Sequence, residues 1–251
     1  MKEIVGIGSC LSEQVARHFG MNYWGKSVSM VRHNRSDQLV AIMNGALPPK
    51  FQTLSDILAG FPDSDPTNRE FIFGQSEEGI GRSTNKDNIT LRTAMSRSHI
   101  GLVLIDNFMD LTADLWESEG GIKFFSRFPK DVALRRLRRL APSEAAKNYN
   151  EIAKRCNDVW PAAHIVFLHF PFSNYPEGSS RPEWGARFVE ELTLPEACFA
   201  ILPREVPANL LKNGQPHHYH HSVYKEIAAE VHELLTAQSK TKHSMHACSS
   251  G

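Results

Sequence analysis

The sequence predicts a three-layer α/β domain with a central parallel sheet, flavodoxin-like in its layering. Three observations lead there. The chain opens with an apolar strand, a glycine turn and a helix. Two later segments, 98–105 and 163–168, are continuous apolar runs bounded by polar residues. Helix-forming stretches alternate with those runs. Such runs suit parallel strands buried on both faces, and the alternation places helices on both sides of the sheet. A length of 251 residues with 41% hydrophobic residues fits one large domain with a real core.

In chain order, Lys2–Ile7 is the first strand and Gly8-Ser9-Cys10 the turn. Ser12–Phe19 is the first helix, with Ser12 as N-cap, Val15 and Phe19 on one face and Gly20 as the stop. Residues 27–31 (SVSMV) and 39–43 (LVAIM) read as short β pieces. Between Pro48 and Asp87 the pattern weakens, with a polar loop over 61–70 and a short strand at Phe71–Gly74. The strand over 98–105 ends in Asp106-Asn107. Residues 130–141 (KDVALRRLRRLA) and 142–159 read as two helices separated at Pro142. Strands follow over 163–168 and 198–202, then a histidine-rich loop. A last helix from Ser222 to Ala237 has Val223, Ile227, Val231 and Leu234 on one face. The domain is thus expected over 1–237, and the tail 238–251, which lacks apolar periodicity, as disordered.

Lys plus Arg (28) equals Asp plus Glu (28), so bulk charge points to neither nucleic acid nor an anionic membrane as partner. No apolar run reaches the roughly 20 residues of a membrane helix. The first apolar stretch is too short and too interrupted by glycine for a signal peptide. Four scattered cysteines fit free thiols in a reducing compartment, so a cytoplasmic location is expected.

In doubly wound sheets ligands sit beyond the carboxyl ends of the strands. Ser9, Asp106-Asn107, His169 and the block 217–221 all follow expected strands, which puts them on one rim. Ser9 at a strand-to-helix turn lies where free backbone N–H groups can stabilise an oxyanion. It can equally be a plain helix cap, or part of a phosphate cradle, although VGIGSC lacks both the third glycine of GxGxxG and a P-loop lysine. Cys10 is a competing nucleophile, since a helix amino end activates a thiolate. Among His217, His218, His220 and His221, any one can be a general base before the last helix. The cluster can also be a solvated loop or a zinc site, but it contains no carboxylate.

Taken together, the blocks Ile7-Gly8-Ser9-Cys10-Leu11, Leu104-Ile105-Asp106-Asn107 and His218…Tyr224-Lys225-Glu226 resemble the SGNH (GDSL-like) hydrolase superfamily. Within it they resemble the GSCFA-like bacterial branch associated with surface-polysaccharide genes. The resemblance implies an SGNH-like fold, Ser9 as nucleophile in preference to Cys10, Asn107 as oxyanion donor and His218 as base. Gln215 stands where the acid is expected, so either another carboxylate serves, with Asp106 the candidate, or the site works as a Ser–His dyad. Ser29 or Gly25 is the candidate for the second oxyanion position. The implied function is serine-dependent acyl transfer to a carbohydrate, as O-acetylation with acetyl-coenzyme A as donor. The alternatives are a carbohydrate esterase or deacetylase, and a catalytically degenerate binding protein. The arginines of 135–139 are then a solvated face or a contact for an anionic donor. Trp116, Trp160, Trp184, Tyr175 and Phe172 are expected near loops, as sugar platforms or as packing.

Overall fold

In the computed structural model, which describes residues 2–32, 34–47, 75, 87–126, 134–176 and 178–248, five strands form one parallel sheet. They are β1 (Glu3–Gly8), β2 (Val28–Arg32), β3 (Ile100–Asp106), β7 (His164–Leu168) and β8 (Cys198–Ile201), in the order β2-β1-β3-β7-β8. This is the flavodoxin-like doubly wound order, whose chain reversal lies between β1 and β3. All seven residues of β3 are buried, the apolar run 100–105 as a central strand requires and Asp106 at its carboxyl end with it. Helices α1 (Cys10–Phe19) and α7 (His221–Cys248) pack together. Helices α2 (Ser36–Met43), α5 (Pro142–Val159) and α6 (Ser180–Glu191) form a second group, so the sheet is flanked by helices. Two short helices, α3 (Leu91–Met95) and α4 (Phe108–Thr112), complete the set among the described residues.

Several elements differ from expectation, each for a local reason. Helix α1 begins at Cys10 rather than after Ser12, because Ser9 is its N-cap and accepts from Leu11 N. Gly20 does not stop it: the chain continues through a π turn, Gly20–Trp24, and ends at Gly25, which has φ 60. Residues 39–43 lie in α2, not in a strand. The buried Asp110 carboxylate receives Ser36 N–H at 3.1 Å and so caps that helix from outside, overriding the β-branched composition.

The helix expected over 130–141 is extended over its described part. There Arg135–Arg136 is strand β6, which joins β4 (Asp114–Glu117) and β5 (Lys123–Ser126) in a small antiparallel sheet. A helix would leave these arginines with only Asp131 in reach. The strand pairs Arg135 with Glu117 and Arg136 with Asp114. Helix α6 has no counterpart in the expectations, although Ser179 caps it and Trp184 and Phe188 lie four apart on its buried face. Trp184 is therefore in a helix, with its indole N–H bonded to Leu140 O, and Trp160 bonds to Arg97 O. The last helix continues to Cys248, past the expected end at Ala237, since no glycine or proline interrupts 238–248. The loop 61–70 and the strand Phe71–Gly74 lie outside the described residues.

Candidate active site

The carboxyl ends of β1 and β3 meet at the chain reversal, and Asp106 fastens them. Its Oδ2 accepts from Ser9 N at 2.8 Å, Ser9 Oγ at 3.0 Å and Ser12 N at 3.0 Å, and its Oδ1 accepts from Phe108 N at 3.1 Å. A carboxylate this buried persists only with such a set of donors. Gly8 makes room for it: φ is +150, and a Cβ there would stand 2.5 Å from Asp106 Oδ2.

Ser9 is consequently 1% exposed and fully engaged, donating to Asp106 and accepting from Leu11 N. Its hydroxyl does not hydrogen-bond His218, so the Ser9–His218 pair that the sequence suggested is not formed. Asp106 likewise serves Ser9 and the strand ends rather than an imidazole.

The next residue faces outward. Cys10 is half-buried and lines a cavity of about 550 Å³ together with Gln14, His218, His220, His221 and Tyr224. Nη2 of Arg32, at the end of β2, stands 3.6 Å from Cys10 Sγ and also pairs with Glu13. A guanidinium and a helix amino end beside one sulfur favour negative charge on it.

The far wall of the cavity is a loop built to hold His218. Asn213 (φ 55) and Gly214 (φ 67) form its tip, with Gln215 N bonded to Lys212 O at 3.1 Å. Positive φ at both central positions is the type I′ hairpin turn that an Asn-Gly pair favours. Lys212 N bonds His218 O, and His220 N bonds Leu210 O, each at 2.8 Å. The side chain of His218 is fixed by Gln215, whose Oε1 lies 2.6 Å from Nδ1. An amide oxygen only accepts, so Nδ1 carries the proton and Nε2 keeps its lone pair. Glutamine thus sets the tautomer, though without the charge of an aspartate.

The other histidines have different employment. His220 caps α7, since its Nδ1 accepts from Ser222 N. His221 packs edge-on against His18, and His217 lines a second cavity. His169 is buried against Phe167 and Phe188, and burial pulls its pKa down to about 4, which makes it a packing residue and not part of the rim. Among the described residues no group of three or more His, Cys, Asp or Glu is arranged to hold a metal ion.

The expected oxyanion donors are also elsewhere. Ser29 pairs in register with Val5 and accepts from Arg97 at 2.8 Å, toward the amino ends of the strands. Gly25 lies past the far end of α1. Asn107 is buried and its Oδ1 accepts from Phe170 N at 2.9 Å, tying β3 to the segment after β7; it does not line the cavity. Tyr224 was not singled out for chemistry by sequence. It is 4% exposed, and burial raises its pKa to about 12, so it stays protonated. Its oxygen accepts Tyr219 N–H at 3.1 Å, while its own proton has no acceptor among the described residues. The signal that could have found Arg32 is its place at the carboxyl end of a strand on the ligand rim.

No protein-family model and no curated protein matches the sequence. Solved structures similar to the chain include a carbohydrate esterase family 2 enzyme with a carbohydrate-binding domain from Corynascus thermopiles (Myceliophthora fergusii). That match has 12% identity and a TM-score of 0.47, covering 94% of this chain and 66% of that one. An acetyl xylan esterase from the rumen bacterium Butyrivibrio proteoclasticus aligns at 9% identity and TM-score 0.47, covering 95% and 64%. A family two carbohydrate esterase from Clostridium thermocellum, in complex with cellohexaose, aligns at 12% identity and TM-score 0.44, covering 97% and 65%. The chain spans slightly less than two thirds of the length of each of these proteins.

Proposed function

We propose that the chain is an esterase that removes acyl groups from carbohydrate by covalent catalysis, with Cys10 in place of Ser9 as the nucleophile. One observation carries this reading: Cys10, His218 and Tyr224 line a single cavity at the amino end of α1, whereas the Ser9 hydroxyl is buried and engaged by Asp106. The carbohydrate part rests on the resemblance of the three sequence blocks.

In the first half-reaction His218 Nε2 takes the Cys10 proton and sulfur attacks the ester carbonyl carbon. The resulting oxyanion lies at the helix amino end and accepts from the Tyr224 hydroxyl. The C–O bond then breaks, His218 returns the proton to the sugar oxygen, and a thioester remains. In the second half, water gives a proton to His218 and attacks that thioester; the acid departs and the thiol is restored. Acyl transfer from acetyl-coenzyme A to a sugar hydroxyl would use the same thioester with donor and acceptor exchanged.

The test combines p-nitrophenyl acetate turnover with intact and peptide mass of the quenched enzyme. The expected result is an acetyl increment on the Cys10 peptide, lost in Cys10→Ala and retained in Ser9→Ala. An increment on Ser9, or undiminished turnover by Cys10→Ala, overturns the assignment. Acetyl transfer to a sugar in preference to water would decide for the transferase.

A further inference from the structure

A second cavity, of about 460 Å³, adjoins the first across the two neighbouring histidines. Phe108, Met109, Tyr175, Arg181 and His217 are among its lining residues. The rings of His217 and His218 are 4.5 Å apart, His217 lining this cavity and His218 the first, so the two cavities lie on either side of this ring pair. The floor is apolar. Arg181 stands in one wall, and Asp114, which also lines the cavity, is paired with Arg136.

Arg181 is half-buried, with its guanidinium 4.9 Å from the centre of the Tyr175 ring. Its Nε is buried without a hydrogen-bond partner, and no carboxylate pairs with it among the described residues. Burial weakens the hold of Arg139 on its proton, Asp114 opposes that, and the repulsion of Arg181 and Arg136 adds to it. The acid opposing this group is Asp114, and both of its oxygens accept from Arg136 at 2.9 Å. Among the described residues Asp114 is committed to Arg136, so Arg181 faces the cavity without a paired carboxylate. Buried charge of that kind is ordinarily paired, and a planar guanidinium with a spare N–H suits a carboxylate or phosphate.

We propose that this cavity is a subsite for an acidic sugar, its carboxylate or phosphate held by Arg181 with Arg139 as a neighbouring positive charge while the ring packs on the apolar lining, so that the esterase acts on anionic rather than neutral glycans. The inference rests on the esterase reading for its placement next to His218, but not for the binding itself. Titration of the intact protein with methyl glucuronoside, glucose 6-phosphate and methyl glucoside, followed by NMR, tests it directly. The first two should bind at least about tenfold more tightly than the third, and Arg181→Gln should remove that preference, the loss expected for a charge-assisted hydrogen bond. Arg139→Gln serves as the second variant, with denaturation midpoints confirming that both fold. Carboxylate against phosphate identifies the source.

Kinetically, Arg181→Gln should raise KM for an O-acetylated glucuronoside at least about tenfold. It should leave kcat, and turnover of p-nitrophenyl acetate, unchanged. Equal binding of all three sugars, or a preference that survives both substitutions, overturns the subsite. Arginine-dependent binding of coenzyme A with no binding of either acidic sugar also overturns it. If the acidic sugars bind as expected but no ester is cleaved, the subsite stands and the esterase reading falls.

Discussion

Replacing Ser9 and Cys10 separately by alanine should split stability from catalysis, although the two residues are neighbours. Ser9→Ala removes the N-cap acceptor of Leu11 N–H and the hydroxyl that donates to Asp106 at 3.0 Å. Loss of a cap typically costs about 1 kcal/mol. Loss of a hydrogen bond to a charged group is worth about 1.5–3 kcal/mol, but Asp106 keeps the N–H groups of Ser9, Ser12 and Phe108, so the lower end applies. Together these give about 2.5 kcal/mol, a fall in Tm of about 5–10 °C for a chain of this size. Cys10 is half-buried at the first position of α1, where alanine is a good helix former, so its removal should shift Tm by less than about 2 °C. Catalysis should respond in reverse. Cys10→Ala should lower kcat by at least about 10³-fold, the scale of losing a covalent nucleophile, while Ser9→Ala should keep kcat within about threefold per folded molecule. Urea denaturation and p-nitrophenyl acetate kinetics on the same samples read both quantities. A stable but inactive Ser9→Ala beside an active Cys10→Ala would refute the reasoning.

Tyr224→Phe should lower kcat by about 10–100-fold with little change in KM, because it deletes a donor to the oxyanion; an equal rise in KM would instead mean a role in ground-state binding. Gln215→Ala should lower kcat by releasing the His218 tautomer, and Gln215→Asp should restore or exceed the original rate, both read from kcat against pH. Gly8→Ala should prevent accumulation of folded protein, since its Cβ would meet the Asp106 carboxylate, and circular dichroism of any soluble fraction checks this. Two buried groups should oppose each other in the pH dependence of stability. Burial raises Asp110 to about 7, so the native state holds its proton where the unfolded chain has lost it, and stability falls from about pH 4 to 7. Burial lowers His169 to about 4, so the unfolded chain binds the extra proton and stability rises between about pH 4 and 6.5. Each slope approaches about 1.4 kcal/mol per pH unit and the two largely cancel. Asp110→Asn should therefore unmask a rise with pH in urea midpoints over that window, and a flat profile would contradict the pairing.

The sequence by itself determined the layering and the positions of the main strands along the chain. β1, β3 and β7 each carry a continuous apolar run, over 4–7, 100–105 and 165–168, which suits strands buried on both faces. The histidines before a helix with one apolar face were equally local signals, so the loop that carries His218 was legible. Local patterning could not decide between Ser9 and Cys10, because both sit at the same turn. Which one is buried depends on Asp106, 97 residues further along the chain, which takes the serine hydroxyl into its hydrogen-bond set. The same holds for Asp110 capping α2 and for Asp114 and Glu117 drawing the arginines of β6 into a strand. In each case a carboxylate distant in sequence outweighed the preference of the segment. Hydrogen bonds and ion pairs act through space, and only the folded chain fixes which partners come within reach.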